Sequence, residues 1–265
     1  MSLSPKEQFA VARNYSPELL NKFEELPDPR SSYVIAMTPR SGSSFFCDVL
    51  KKTKNFGNPD ERLNQGFLPN ILERIPGPNA DIYLRNLLRF GRTRNGISGL
   101  KTSWFQFENF TRAMAEPQAF TKLRFVYLYR RDLPQQAVSL YLATESNVFH
   151  TNIAHTEDEL GKLQRLEYNY AAIDKWHEHI LRQERGWKNY FDENGINPLS
   201  ISYEDIVDDL PCVLRRFARH VGVQPKNAVV PAEQSIFKKI GDARNYEWAC
   251  RYQLEKMAKE ANSGQ

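Results

Sequence analysis

Cysteine is scarce in this chain. Cys47, Cys212 and Cys250 are its three cysteines, and they lie far apart without a Cys-x-x-Cys pair. Disulfide scaffolds and zinc modules use closely spaced cysteines, so this pattern signals neither. The five histidines add no metal-ligand pattern. We therefore expect three reduced thiols that act as small core residues.

Long apolar runs are also missing. No stretch approaches the roughly 20 apolar residues that a membrane-spanning helix needs. The first residues, Met1 to Glu7, lack the basic start and apolar run of a secretion signal. The sequence thus predicts no membrane span and a cytoplasmic location.

A large excess of charge of one sign is lacking as well. The formal net charge is +4. This modest value weakly favours anionic small ligands and gives little reason to expect a nucleic-acid surface. With 265 residues, of which 41% are hydrophobic, the chain has the size and composition of a soluble enzyme.

Strand and helix patterns alternate along the chain. Four strands are predicted: 33–37, a strand that ends at Lys101, 123–129 and 198–203. Six helices are predicted: 17–25, 45–54, 80–89, a helix that begins at Gln135, 163–194 and 211–220. The stretch from Asn55 to Pro78 is rich in Gly and Pro and is predicted to be a long irregular connection. The alternation predicts an α/β fold with a central parallel β-sheet flanked by helices.

The most informative segment is the turn between the first strand and its helix. It carries small hydroxyl residues, one glycine and one arginine: Thr38, Arg40, Ser41, Gly42, Ser43 and Ser44. Glycine lets the backbone approach a ligand closely, and the start of a helix favours a phosphate or sulfate. An ordinary turn is the alternative, since Ser and Gly are common in turns. The arginine favours an anion-binding loop.

Several known loop types do not match this turn. A nucleoside-triphosphatase loop would read Gly, four residues, Gly-Lys-Ser/Thr, and a hydrolase elbow would read Gly-x-Ser-x-Gly. A phosphatase loop would place an arginine six residues after a cysteine, and none of the three cysteines has one.

A second candidate anion contact follows the strand that ends at Tyr129. Arg130 or Arg131 lies at the strand end, and Ser139 lies one or two turns into the next helix. An arginine and a serine so placed could bind one phosphate above the sheet edge, although a structural arginine at the strand end is the alternative. Two anion contacts on neighbouring strands favour a ligand with two separated phosphates.

Taken together, the ordered segments resemble the sulfotransferases that use 3′-phosphoadenylyl sulfate (PAPS), and most closely the bacterial Stf0-type trehalose sulfotransferase family. The resemblance covers nearly the whole chain. It rests on the turn at 38–44, the pair of Arg130 or Arg131 with Ser139, and the segments 57–61, 99–104, 136–139, 184–187, 202–205 and 247–252.

The resemblance implies a P-loop-like sulfotransferase fold, with an N-terminal segment at 1–30 and a single catalytic domain at 31–265. It implies that the turn from Arg40 to Ser44 holds the 5′-phosphosulfate of PAPS, that 3′-phosphoadenosine 5′-phosphate (PAP) is the product, that no metal is required, and that the protein forms a homodimer. The 3′-phosphate would lie at Ser139 together with one of two arginines. General sulfotransferases place the arginine eight residues before the serine, which is Arg131, and the closer family places it nine residues before, which is Arg130. The Arg-Lys-Gly phosphate segment of the animal enzymes is not evident, and we expect Lys238, Lys239 and Arg244 to replace it.

The resemblance also implies the chemistry. A sulfuryl group would move to a hydroxyl of a carbohydrate or glycolipid acceptor, with Glu61 as general base, Arg40 stabilising the leaving phosphate and Lys101 assisting or contacting the acceptor. Acceptor contacts are expected from 55–78 and 144–157. The rival functions are a nucleotide-dependent kinase and a non-catalytic nucleotide-binding protein.

Aromatic residues after Lys101 have two interpretations. Trp104, Phe105 and Phe107 could form a floor for a sugar ring or belong to the core, and the core is favoured. His177 fits the apolar stripe of its helix, so we expect a structural role for it.

Overall fold

The computed structural model describes residues 3–11, 15–149, 155–231 and 243–263. The helices are α1 (Pro5–Val11), α2 (Pro17–Glu24), α3 (Ser43–Lys52), α4 (Leu68–Leu72), α5 (Ala80–Phe90), α6 (Trp104–Thr111), α7 (Leu133–Ser146), α8 (Glu157–Arg165), α9 (Tyr170–Glu193), α10 (Tyr203–Asp208), α11 (Leu210–Val221) and α12 (Ala243–Ser263). The strands are β1 (Ser31–Met37), β2 (Ile97–Ser103), β3 (Arg124–Tyr129) and β4 (Leu199–Ser202), and two short 3₁₀ turns span Pro117–Lys122 and Pro225–Asn227.

The four strands form one parallel sheet in the order β2-β1-β3-β4. Strand β1 therefore lies inside the sheet, with Met37 opposite Ser103 of β2 and Leu128 of β3. Tyr129 at the end of β3 lies opposite Ser202 at the end of β4. The predicted parallel sheet is confirmed, and this register aligns the carboxyl ends of the strands.

Both faces of the sheet are covered. Tyr33, Ile35 and Met37 of β1 pack with residues of α3 and α11 on one face. Val34 and Ala36 point the other way and pack with residues of α1, α2, α5, α6 and α9. The alternation of side chains along a strand explains why an almost continuous apolar run suits a strand buried on both faces.

Most predicted helices are confirmed, but the long one from Leu163 to Asn194 is wrong as a single helix. The backbone turns extended at Leu166, and Asn169 caps a new helix by accepting a hydrogen bond from Ala172 N. Leu163, Leu166, Tyr170 and Ile173 all belong to one apolar cluster with α7. The apolar spacing therefore continues across the break and hides it. The connection at 55–78 also contains the short helix α4, which we did not predict.

The expectation of three core cysteines is correct only for Cys47. Cys212 is half-buried and Cys250 is exposed. Cys250 lies on the outer side of α12, whose inner side carries the buried Trp248 and Tyr252. Burial raises the pKa of the Cys47 thiol to about 12.

In the described ranges, no helix is long and apolar enough to cross a membrane. The cytoplasmic location stays a prediction. His177 is buried against Tyr252 of α12, which agrees with the structural role expected for it.

Candidate functional site

Most of the predicted site residues meet at the carboxyl edge of the sheet. Strand β1 leads into the turn at 38–42, Lys101 lies near the end of β2, and Arg130 follows β3; Tyr203, which was not predicted as a site residue, follows β4. In open parallel sheets, ligands bind beyond this edge. The fold thus gathers residues that are far apart in the sequence.

The turn is a tight backbone cradle. Gly42 has a φ of 79° and precedes the first residue of α3, and Arg40 also has a positive φ, 67°. A Cβ atom on Gly42 would lie 2.5 Å from Cδ2 of Tyr203. Glycine is therefore required at this position both by its conformation and by its packing against Tyr203.

Arg40 turns from this cradle toward α7. Its Nε donates to Ser139 Oγ at 3.1 Å, and its Nη1 donates to the carbonyl of Phe149 at 2.6 Å. Burial, and then the positive charge of Arg130, lower the pKa of Arg40 to about 10. No ion pair joins Arg40 to a carboxylate in the described part of the chain, so a bound anion would stabilise it.

The two arginines after β3 have different surroundings. The side chain of Arg131 is 55% exposed and is held by Glu204, Asp205 and Asp208 at 3.5 to 4.0 Å. The side chain of Arg130 is 11% exposed, and its guanidinium lies over the ring of Tyr203, 5.0 Å from the centroid. Arg131 thus has three carboxylates around it. Among the described residues, Arg130 has only the Glu204 carboxylate nearby, at 4.0 Å, and it donates through Nη2 to Gln135 Oε1 at 2.8 Å. It lies inward, beside Arg40.

Two buried groups at this edge that can donate a hydrogen bond lack a partner among the described residues, beside one unpaired acceptor, Gln136 Oε1. The two donors are Ser41 Oγ and Arg130 Nε, the latter 4.0 Å from the nearest Glu204 oxygen and so beyond hydrogen-bond distance. Buried polar groups are nearly always hydrogen-bonded, and leaving one unpaired costs about 1–3 kcal/mol. An anion with several oxygens between the loop and β3 would satisfy both atoms.

Lys101 links the loop to a carboxylate. Its Nζ donates to Ser44 Oγ at 3.2 Å and forms an ion pair with Glu61 Oε1 at 2.8 Å. Burial raises the pKa of Glu61, but Lys101 and Gln106 lower it by more, so the pKa lies below its ordinary value. Burial lowers the pKa of Lys101, but Glu61 raises it by more. The pair is therefore ionised at neutral pH.

A cavity of about 370 Å³ opens beside this pair. Polar residues and a few apolar side chains line it: Ser44, Cys47, Lys51, Asp60, Glu61, Arg62, Phe67, Ile71 and Lys101. Asp60 is paired with Lys51 at 3.0 Å. Phe67 is 57% exposed although it is a large aromatic side chain. The predicted long connection thus supplies one wall of the cavity.

Other predicted residues lie elsewhere. Arg244 donates to the carbonyls of Leu163 and Gln164 and lies over Trp248, and no described contact joins it to the loop. Its role as a phosphate ligand stays a prediction. Lys238 and Lys239 lie outside the described residues, as does part of 144–157.

The aromatic residues after Lys101 belong mainly to the core, as favoured. Phe107 is buried, and Trp104 packs on Trp187 with centroids 5.3 Å apart. Phe105 packs on His179. The aromatic side chain at the cavity is instead Phe67.

Two residues of the site are not predicted from the sequence. Tyr203 belongs there only to the segment 202–205, whereas in the structure it packs between Gly42 and Arg130. Gln106 donates to Glu61 Oε2 at 3.2 Å. The spacing Ser103-x-x-Gln106 is a capping-box pattern and could have shown where α6 begins. Among the described residues, no cluster of three His, Cys, Asp or Glu could hold a metal ion.

Comparison with known proteins gives a family match, two relatives by sequence and solved structures of similar fold. The sequence model of the Stf0 sulphotransferase family matches residues 32–255. Trehalose 2-sulfotransferase of Mycobacterium tuberculosis is 25% identical over 84% of this chain and 94% of the relative, and that of Mycolicibacterium smegmatis is 25% identical over 87% and 97%. Retinol dehydratase, solved with retinol and PAP, is 14% identical over 98% of this chain and 95% of that chain, with a TM-score of 0.41. With so low an identity and TM-score, this likeness supports no conclusion about function.

Proposed function

Because the chain belongs to the Stf0 sulphotransferase family and is thus an enzyme with the sulfotransferase fold, we propose that it transfers a sulfuryl group from PAPS to a hydroxyl of a carbohydrate. The observation that carries this proposal is the contact of buried Lys101 with both Ser44 and Glu61. It connects an anion-binding loop to an ionised carboxylate at the wall of a cavity.

The donor would lie along the carboxyl edge of the sheet. The turn from Arg40 to Ser44 offers backbone N–H groups, a guanidinium and hydroxyls to the 5′-phosphosulfate. We assign the 3′-phosphate to Arg130 and Ser139 rather than to Arg131. The support is that Arg130 Nε is buried without a hydrogen bond among the described residues and has one carboxylate at 4.0 Å, whereas Arg131 is exposed and paired with three acidic residues.

The two arginines make a matched pair of variants. Arg130→Ala should weaken PAP binding about 10- to 100-fold, since a hydrogen bond to a charged group contributes about 1.5–3 kcal/mol. Arg131→Ala should change it less than about threefold, because an exposed arginine contributes little. Calorimetric titration with PAP measures both. The reverse order of effects would assign the 3′-phosphate to Arg131.

The acceptor would occupy the cavity at Glu61. A volume of about 370 Å³ lies in the range of small-molecule sites. Phe67 and Ile71 offer an apolar face to the C–H side of a sugar ring, and Asp60 and Arg62 offer groups for its hydroxyls. Because both relatives are trehalose 2-sulfotransferases, trehalose is the first acceptor to test.

The proposed chemistry assigns a role to each residue. When bound, PAPS supplies the sulfuryl group and a phosphate leaving group. Glu61 takes the proton of the acceptor hydroxyl as the new O–S bond forms and the bond from sulfur to the phosphate oxygen breaks. Arg40 stabilises the charge that develops on the departing phosphate, and Lys101 holds Glu61 ionised and close to Ser44.

Residues 31–265 would form the single catalytic domain, preceded by an N-terminal segment at 1–30. The family match begins at residue 32, and Phe9 and Phe23 of the preceding helices join the core. The expected homodimer stays a prediction.

Mass spectrometry tests the function directly. We expect a product heavier by one sulfonate when the protein is incubated with PAPS and trehalose, or otherwise with a metabolite extract. PAP binding without transfer to any of a broad hydroxyl panel would instead support a nucleotide-binding protein. Phosphate transfer from a nucleoside triphosphate that requires magnesium would support a kinase.

A further inference from the structure

Gln106 connects the start of α6 to the Glu61 carboxylate. Its Oε1 accepts a hydrogen bond from Ser103 N at 3.1 Å, which forms part of a capping box at this helix. Its Nε2 donates to Glu61 Oε2 at 3.2 Å. One side chain thus contacts both the end of β2 and the carboxylate on the long connection.

The chemistry of these two bonds fixes the orientation of the amide. A backbone N–H can only donate, so the carbonyl oxygen of Gln106 must face Ser103. The NH₂ group must then face Glu61, which accepts when ionised. The other carboxylate oxygen of Glu61 accepts from Lys101 Nζ. Glu61 is therefore held by one donor on each oxygen, both from the β2–α6 segment.

The charged and titratable groups near Glu61 come from several segments. They are Lys101 on β2, Asp60 next to Glu61 in the chain, Cys47 and Lys51 on α3, and Arg62, with Lys51 neutralised by Asp60. Gln106 is uncharged, so it can orient the carboxylate without adding a competing cation. It also favours the ionised form, because it donates to it.

We propose that Gln106 is a positioning residue. By donating to Oε2, it fixes the orientation of the Glu61 carboxylate at the wall of the cavity, where this carboxylate takes the proton of the acceptor. This inference rests on the proposed function, in which Glu61 is the general base. It gives Gln106 a role beyond capping α6.

The variant Gln106→Glu separates these two roles. Glutamate is a good capping-box residue, so an oxygen at this position still accepts from Ser103 N and α6 keeps its cap. The second oxygen cannot donate to Glu61 and places a like charge beside it. A residue that only caps the helix would tolerate this substitution.

Kinetic measurements give the first test. We expect Gln106→Glu to lower kcat about tenfold or more, because the base loses its orientation. We also expect the acid limb of the pH profile of kcat/KM to move up by about one unit, since a neighbouring negative charge raises the pKa of Glu61. The KM for PAPS should stay within about twofold, because the donor loop is not contacted by Gln106. A wild-type rate and pH profile, or a lower rate with an unmoved acid limb, would overturn the proposal.

Thermal melting gives a test that does not need activity. Gln106→Glu should lower Tm at pH 7 by about 2–4 °C, the shift that about 1 kcal/mol produces in a protein of this size. In the double variant Glu61→Gln with Gln106→Glu, the side chain at 61 donates and the side chain at 106 accepts, so the hydrogen bond between them is restored in the reverse direction. The Tm of this double variant should therefore exceed that of Gln106→Glu, while sulfuryl transfer stays lost. Additive Tm effects would show that the two side chains do not interact and would overturn the inference. If wild type transfers no sulfuryl group, the proposed function fails, and the melting data still decide whether Gln106 holds Glu61.

Discussion

Replacing Glu61 by glutamine should lower sulfuryl transfer by about 10²–10⁴-fold, the usual contribution of a general base. The amide oxygen of the introduced glutamine can still accept a hydrogen bond from Lys101, so the side chain that contacts Ser44 stays in place. Donor binding should therefore change little. Initial rates by mass spectrometry and calorimetric titration with PAP measure the two quantities separately.

The neighbouring carboxylate provides the control. Asp60 lines the same cavity, but it is exposed and paired with Lys51 at the rim. Asp60→Asn should reduce transfer less than about tenfold, since exposed ion pairs contribute about 0–1 kcal/mol. Unchanged transfer in Glu61→Gln, or an equal loss in both variants, would remove Glu61 from the role of base.

Replacing Arg40 by alanine should weaken both binding and turnover. The lost hydrogen bonds to phosphosulfate oxygens should raise the Kd for PAP about 10- to 100-fold. A further loss of about 10²–10³-fold in kcat is expected because the charge of the departing phosphate is no longer stabilised. Arg40 has a positive φ, and alanine has the same backbone strain there. The difference between wild type and Arg40→Ala therefore reflects the loss of the side chain.

Two variants control for charge and geometry. Arg40→Lys keeps the charge but loses the planar donors, including the bond to Ser139 Oγ. Compared with Arg40→Ala, it should therefore bring the Kd for PAP closer to the wild-type value than it brings kcat. Arg94→Ala removes an exposed arginine from the turn before β2 and should match wild type. An Arg40→Ala protein with wild-type affinity for PAP would place the donor elsewhere.

The sequence was most predictive where structure depends on residues that are neighbours in the chain. The strand, the turn and the helix from Tyr33 to Leu50 form one local unit, and their order predicted this unit; its preference for an anion stays a prediction. The pattern of Arg130, Arg131 and Ser139 was visible for the same reason. It could not show which arginine lies inward, because Arg131 is held by Glu204, Asp205 and Asp208, which follow β4.

The omission of Gln106 and the error at α8 and α9 also come from contacts between segments that are distant in the sequence. The capping pattern of Ser103 and Gln106 can be read from the sequence, but Glu61 reaches Gln106 only through the tertiary fold. The break between α8 and α9 is invisible in the apolar spacing, because both helices pack on α7. Arg244 was predicted from the resemblance, and its role as a phosphate ligand stays a prediction; its described contacts are with α8 and Trp248.

The strand order has a consequence for how the protein is made. Strand β1 is synthesised first, but its neighbours β2 and β3 begin only at Ile97 and Arg124. At translation rates of about 5–20 residues per second, the apolar segment Tyr33–Met37 leaves the ribosome several seconds before it can pair. The turn at 38–42 cannot reach its final shape earlier, because Tyr203 packs against Gly42. Nascent chains are thus expected to expose their first strand until β2 and β3 have been made, and to acquire the proposed donor site only late in synthesis.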